Sequence, residues 1–299
     1  MRFLNFGSLN RDIVYSVPHT VTPGETLAST RREVFCGGKG LNQSLSLARA
    51  GAAVCHAGCI GEDGIALRDL LEKSGVDTKE LRTVDGPSGH AVIQVDAKGQ
   101  NSILLFGGAN QRIDRHMADE VLSRFSAGDY LVLQNEISEI PYILDQAARR
   151  GMRVILNPSP FPEDWREWPM DSVSFFAVNE IEGALLTGEE DPQAILAAMR
   201  RQFPAAHTLL TLGSQGAVYD DGETVYSAGC VEVPVVDTTA AGDTFLGYFF
   251  SQLDERGPDR SLRLASAAAA MAVSVKGASN SIPKLSQVEV FAASRGLTV

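Results

Sequence analysis

The chain has 299 residues, 44% of them hydrophobic and 21% charged, with a mean hydropathy of -0.02. That is enough apolar chain to bury a full core, as one large domain or one domain with an appendage, and it excludes extended disorder. A formal net charge of -11 makes phosphate backbones and anionic lipid poor partners, so neither nucleic acid nor a membrane surface is expected.

The first predicted element starts at once. Phe3-Leu4-Asn5-Phe6 reads as a buried strand, too short and too soon interrupted by Gly7 for a signal peptide or a membrane span. Two further strands, 13–17 and 29–35, follow without a helix between them. From residue 39 onward, short apolar runs alternate with helical periodicity. Strands are predicted at 53–60, 130–134, 153–157, 173–178 and 208–211, and helices at 41–50, 65–73, 140–150, 180–186, 192–201, 241–253 and 261–275. This alternation predicts a parallel sheet covered on both faces. A second helix-free pair, 90–96 and 101–106, is joined by the turn Asp96-Ala97-Lys98-Gly99. The two pairs together read either as an extra edge sheet or as a lid over a site. The run Ala267-Ala268-Ala269-Ala270 lies in a helical pattern as a small packing face.

The four cysteines, Cys36, Cys55, Cys59 and Cys230, form no C-x-x-C pair and have no histidine at ligand spacing. They read as buried free thiols of a reducing compartment, so a cytoplasmic location is expected.

Three segments carry candidate chemistry. In Val233-Pro234-Val235-Val236-Asp237-Thr238-Thr239-Ala240-Ala241-Gly242-Asp243-Thr244-Phe245, a β-rich run ends at Asp237, small residues follow, and an apolar helix begins. Small residues at a helix start let an anion approach free backbone N–H groups. The amides of Ala240, Ala241, Gly242 and Asp243 would then face a phosphoryl group, with Asp243 placed to take a proton from an attacking hydroxyl. The competing reading makes Asp243 and Thr244 simple helix caps. In Cys36-Gly37-Gly38-Lys39-Gly40-Leu41-Asn42-Gln43 a Gly-rich turn with one lysine precedes a helix. It is neither a Walker A loop nor G-x-G-x-x-G, and on its own is a tight turn. In Gly7-Ser8-Leu9-Asn10-Arg11-Asp12, polar residues follow the first strand, where open α/β sheets bind ligands, and an Asx turn competes.

Taken together, these segments resemble the ribokinase-like (PfkB) carbohydrate kinase family. The run 237–245 matches its C-terminal signature D-T-x-A-A-G-D-T-F, Gly37–Asn42 its G-G-K-G-x-N signature, and 7–12 its G-S-x-N-x-D. Weaker matches occur in the family's order: Asn135-Glu136, Asn157-Pro158-Ser159-Pro160, Asn179-Glu180-Ile181-Glu182, Thr211-Leu212-Gly213-Ser214-Gln215-Gly216, and the tail Lys276-Gly277-Ala278-Ser279-Asn280-Ser281-Ile282-Pro283. The resemblance spans about residues 5–283 and is nearest to the ribokinase subfamily. It departs at Tyr248, where a small residue is usual and which reads as packing, and at His90, where an apolar residue is usual.

The resemblance implies an α/β fold: a three-layer α/β/α domain with a mostly parallel sheet (1–12, 36–88 and 107–299) and a small β-sheet lid (13–35 and 89–106). It implies ATP-dependent phosphorylation of a sugar hydroxyl, D-ribose to ribose 5-phosphate. Open alternatives are another pentose, a hexose or a nucleoside, or a non-catalytic sugar-binding protein on the same fold. Asp243 would be the base. Asn10, Asp12, Gly37, Gly38, Lys39, Asn42 and Glu136 would hold the sugar, and Asn179, Thr211, Gly213 and Gly216 the ATP. Glu182 would support Mg²⁺ indirectly. Asp237, Thr239, Ala272, Val275, Gly277 and Ser281 would hold an activating K⁺. A homodimer through the lid is also implied, with the 13–17 and 101–106 strands as its edges.

Overall fold

The computed structural model describes all 299 residues. In chain order the strands are β1 (Phe3–Phe6), β2 (Asn10–Ser16), β3 (Arg31–Gly37), β4 (Val54–Ile60), β5 (Leu81–Thr83), β6 (Gly89–Val95), β7 (Asn101–Phe106), β8 (Tyr130–Gln134), β9 (Arg153–Asn157), β10 (Phe175–Asn179), β11 (His207–Thr211), β12 (Ala217–Asp220) and β13 (Val225–Ala228). The helices are α1 (Lys39–Arg49), α2 (Ile65–Lys73), α3 (Arg115–Leu122), α4 (Ile140–Arg149), α5 (Glu180–Thr187), α6 (Pro192–Gln202), α7 (Ala241–Arg256), α8 (Pro258–Val273) and α9 (Leu285–Ser294). No helix is long and apolar enough to cross a membrane.

Nine strands form one sheet in the order β13-β12-β11-β10-β9-β8-β1-β4-β5, parallel from β11 to β5 and closed by the antiparallel hairpin β12–β13. Alternation within each strand feeds two separate cores, as a sheet covered on both faces requires. Phe3, Tyr130 and Val132 join the layer of α1, α7 and α8, whereas Leu4, Phe6, Leu131 and Leu133 join that of α3, α4 and α6. From β1 the chain proceeds to β4 and β5 on one side, and from β8 to β11 on the other. The order reverses between β1 and β8, so a crevice opens at their carboxyl ends.

The two helix-free pairs form a separate sheet, β3-β2-β6-β7. Its strands reach back to Asn10 and on to Gly37, so Asn10, Asp12 and Gly37 belong to the small sheet. The Asp96 carboxylate closes the β6–β7 turn, accepting from the Lys98 and Gln100 amides at 2.8 and 2.9 Å. One expected edge is corrected: β2 is paired on both sides, and the edges are β3 and β7.

Other expectations also change. Residues 233–237 form no strand, because Pro234 lacks an N–H and Val235 and Val236 are exposed. The penultimate helix starts at Pro258, whose fixed φ suits a first helical position. Only Cys59 is fully buried; Cys36 and Cys55 are half-buried and Cys230 is exposed, all four as free thiols.

Candidate active site

The site is built around the start of α7. Ala240 caps that helix in the left-handed region, φ 60°, a conformation that costs a residue with a Cβ about 1–2 kcal/mol. This bend turns the first amides of α7 into the crevice. The Ala241 N–H is engaged by Thr238 O at 3.2 Å, and those of Gly242 and Asp243 have no partner within the chain. They are free to face an anion, with the helix dipole adding attraction.

Asp243 is 7% exposed and does not cap the helix. Its Oδ2 accepts from Asn42 Nδ2 at 3.1 Å and its Oδ1 from Gln43 Nε2 at 2.9 Å. The helix-cap reading is thereby set aside. Both donors are amides, which hold a carboxylate without having a proton to give it. Asp243 lines a cavity of about 230 Å³ with Ala240, Ala241, Gly242, Lys39, Asn157, Asn179, Glu182 and Thr211. A lysine, two amides and a helix start thus face one space with the carboxylates of Asp243 and Glu182.

A second polar cluster lies at the β1–β8 crevice, where the small sheet meets the large one. Gly38, at φ 94°, turns the chain from β3 into α1 where a side chain would strain. A Cβ on Gly37 would overlap the Asp12 carboxylate. Burial, and after it the charge of Glu136, raises the Asp12 carboxyl to about 7. Burial also raises Glu136, against the Ser8 hydroxyl and the Lys39 amide, both of which donate to its Oε2. Asn10 is held by Asn110, whose Nδ2 donates to Asn10 Oδ1 at 2.8 Å. Two carboxyls of raised pKa beside oriented amides form a cluster of hydrogen-bonding groups suited to a polyhydroxyl ligand.

The remaining predicted residues fall in four places. Asn42, expected on the sugar, gives an N–H to Asp243, and its buried Oδ1 has no partner. Asn179 and Glu182 form a reciprocal capping box on α5, leaving the second Glu182 oxygen outside it. Thr211 reaches the cavity wall, whereas Gly213 and Gly216 shape the turn beyond it, at φ 52° and 98°. Asp237 ties two loops together: its Oδ1 accepts from the Thr239 amide and hydroxyl at 2.9 and 2.6 Å, and its Oδ2 from the Gly277 amide at 2.9 Å. Burial alone would raise the Asp237 carboxyl, but these donors outweigh it and hold it below its ordinary value. Ala272, Val275 and Ser281 belong to the second loop or to the helix end that feeds it.

Both departures resolve. Tyr248 is wholly buried and donates to Pro283 O at 2.9 Å, which is packing. His90 pairs with Phe106 and Arg11, on the opposite face of the lid from Asp12 and Ala91, with its ring 5.0 Å from that of Phe106. It points away from the Asp12 side.

Sequence reasoning missed Ser8, Gln43 and Asn110 as site residues. The available signal was the polar run Asn42-Gln43-Ser44 inside a helix whose first turns are buried on every side.

The model of the pfkB family of carbohydrate kinases matches residues 3–285. The chain belongs to that family. Within it, this carbohydrate kinase is 36% identical to a ribokinase of Haemophilus influenzae, over 93% of this chain and 94% of the relative. Two solved structures superpose closely. The ribokinase of Cryptococcus neoformans var. grubii serotype A in complex with ADP gives a TM-score of 0.86 at 33% identity, covering 97% of this chain and 99% of that one. The Arabidopsis thaliana ribokinase complexed with ribose and ATP gives 0.85 at 30% identity, covering 97% and 98%. This pfkB-family chain is accordingly an ATP-dependent sugar kinase, and its nine-stranded sheet with a separate four-stranded one is the fold those neighbours share.

Proposed function

We propose that this kinase transfers the γ-phosphoryl group of ATP to the 5-hydroxyl of D-ribose. The observation that carries the reading is Asp243, whose carboxylate accepts from two amide donors beside the unpaired N–H groups that open α7. Asp243 takes the proton of the attacking hydroxyl, and the α7 amides receive the charge that grows on the transferring group. Asp12, Asn10 and Glu136 hold the remaining hydroxyls, with Gly37 and Gly38 allowing close approach. Lys39, expected on the sugar, lines the same cavity as Asp243, with Asn179 and Thr211 on the nucleotide side.

Two ions belong to this reading. Mg²⁺ neutralises phosphate charge when bound, and the Glu182 oxygen left outside the capping box is the group that supports it, through water. The loops joined by Asp237 offer carbonyl and hydroxyl oxygens and one carboxylate, a donor set suited to K⁺, drawn from Asp237, Thr239, Ala272, Val275, Gly277 and Ser281. The four-stranded sheet acts as the lid, with 13–35 and 89–106 as its segments. A second copy covers its exposed apolar strands, and the enzyme works in the cytoplasm, where ATP is at hand.

Turnover of ATP across pentoses, hexoses, sugar phosphates and nucleosides tests the substrate. Ribose is expected to give the highest kcat/KM. A hexose or nucleoside exceeding it by about tenfold, a difference of about 1.4 kcal/mol in transition-state binding, moves the assignment.

A further inference from the structure

Gln43 is wholly buried in the first turns of α1 and lies outside the cavity wall. Its amide is nevertheless aimed at Asp243, and the direction of that amide is dictated from two fixed backbone carbonyls. The first is Gly40 O, which can only accept, so the Asn5 group 2.7 Å from it is the NH₂. Asn5 Oδ1 therefore faces Gln134 and takes an N–H from Gln134 Nε2 at 3.0 Å. The same Nε2 donates to Gln43 Oε1 at 2.6 Å, which leaves Gln43 Nε2 to face Asp243 Oδ1 at 2.9 Å. The second anchor is Ala177 O, which accepts from Asn157 Nδ2 at 2.9 Å. Asn157 Oδ1 thus also accepts, from Gln43 Nε2 at 3.2 Å.

Both anchors demand the same orientation of Gln43. The relay has a cost that supports its directionality: Gln134 Oε1 is buried without a partner. Turning Gln134 over would satisfy neither Asn5 nor Gln43, because two oxygens would then face its oxygen.

We propose that Gln43 is a positioning residue for the base, an N–H donor locked by the Asn5–Gln134 and Asn157 amides that fixes the Asp243 carboxylate toward the sugar hydroxyl. This rests on reading Asp243 as the base, and it assigns the direction of the relay to catalysis rather than to packing.

The test is steady-state kinetics with MgATP and D-ribose on Gln43→Met, Gln134→Glu, their double variant and Asp243→Asn. Gln43→Met removes the donor at nearly constant volume. It is expected to lower kcat about tenfold, the scale of one lost hydrogen bond to a charged group, with both KM values within about twofold. Gln134→Glu touches neither substrate nor Asp243. It replaces the N–H facing Gln43 by an oxygen, so the two anchors now oppose each other: position 134 draws the Gln43 NH₂ away while Asn157 Oδ1 still calls for it, and the donor is no longer locked on Asp243. Its kcat is also expected to fall about tenfold, and the double variant to lose no more, because no amide remains at position 43 to turn. Losses that multiply to about a hundredfold, losses confined to KM, or wild-type kcat in Gln134→Glu would each overturn the proposal. Should Gln134→Glu fail to fold, Gln134→Met releases Gln43 without burying a charge. A few-fold loss of kcat supports the relay there, and wild-type kcat contradicts it. Asp243→Asn separates the two claims. If it stays active, the base reading fails; if it is inactive while Gln43→Met turns over normally, the relay alone fails.

Discussion

Asp12 faces two opposed demands. Burial and the Glu136 charge raise its carboxyl to about 7, yet its proposed task, accepting sugar hydroxyls, needs the ionised form. Between the ordinary carboxylate value and about 7, the folded chain holds a proton there that the unfolded chain has released. Its contribution to stability is therefore present at low pH and is lost as pH rises through that window. Sugar binding should draw the site the other way. Affinity is expected to rise as pH goes from about 6 to about 8, with proton release seen by calorimetry in buffers of different ionisation enthalpy. Asp12→Asn should weaken sugar binding about tenfold and flatten the pH response, while leaving ATP binding unchanged. Affinity independent of pH in the unaltered protein would contradict this role.

At this scale the sequence announced residue types better than their partners. Asp243, Asp12 and Glu136 stood in recognisable runs, and Asn42 was read as a sugar ligand, but Gln43 beside it was given no role. Only the packing of α1 against α7 shows that both amides donate to Asp243. Spacing along a chain does not encode which side of a buried helix meets which neighbour.

The elements that were legible from sequence are those with continuous apolar runs. β8 and β9 were placed to the residue because a strand covered on both faces carries no polar interruption. β5, with one buried leucine in three residues, and the edge hairpin β12–β13 carry too little pattern to stand out. α3 and α9 were also missed, although Asp114 caps α3 by accepting from Met117 N at 2.8 Å. The β-rich run 233–237, not among the predicted strands, lies with Val235 and Val236 exposed in a connecting segment held at Val236 and Asp237 by Val273 O.

That segment leads into the proposed cation loops. At constant ionic strength and Mg²⁺, replacing tetramethylammonium stepwise by K⁺ is expected to raise turnover, with Na⁺ less effective. Asp237→Ala, which frees the Gly277 amide and the Thr239 hydroxyl together, should abolish most of the rise. A flat response would remove the ion from the account.

On the scale of the whole molecule, the small sheet leaves an unusual amount of apolar surface uncovered. Every residue of β7 is exposed, Leu104 at 71%, and β7 is an unpaired edge. Exposed apolar edge strands of this kind are templates for pairing. A dimer through the lid is therefore expected by light scattering, and Leu104→Asp, far from the base, should shift it toward monomer. A monodisperse monomer of the unaltered chain would rule the dimer out.

The fold joins the base, the α7 amides and the Asp12–Glu136 cluster through the start of α1, which packs beside α7. Its central consequence is stoichiometric transfer from ATP to a sugar hydroxyl with Asp243 as the base. The most direct measurement is phosphorus NMR of the protein with MgATP and D-ribose, run beside Asp243→Asn. One phosphomonoester is expected for each ADP formed. The rate is expected to be about 10²–10⁴-fold lower in the variant, with binding of both substrates retained. ADP without a sugar phosphate, or a variant turning over at more than about half the original rate when general-base loss should cost orders of magnitude, would contradict it.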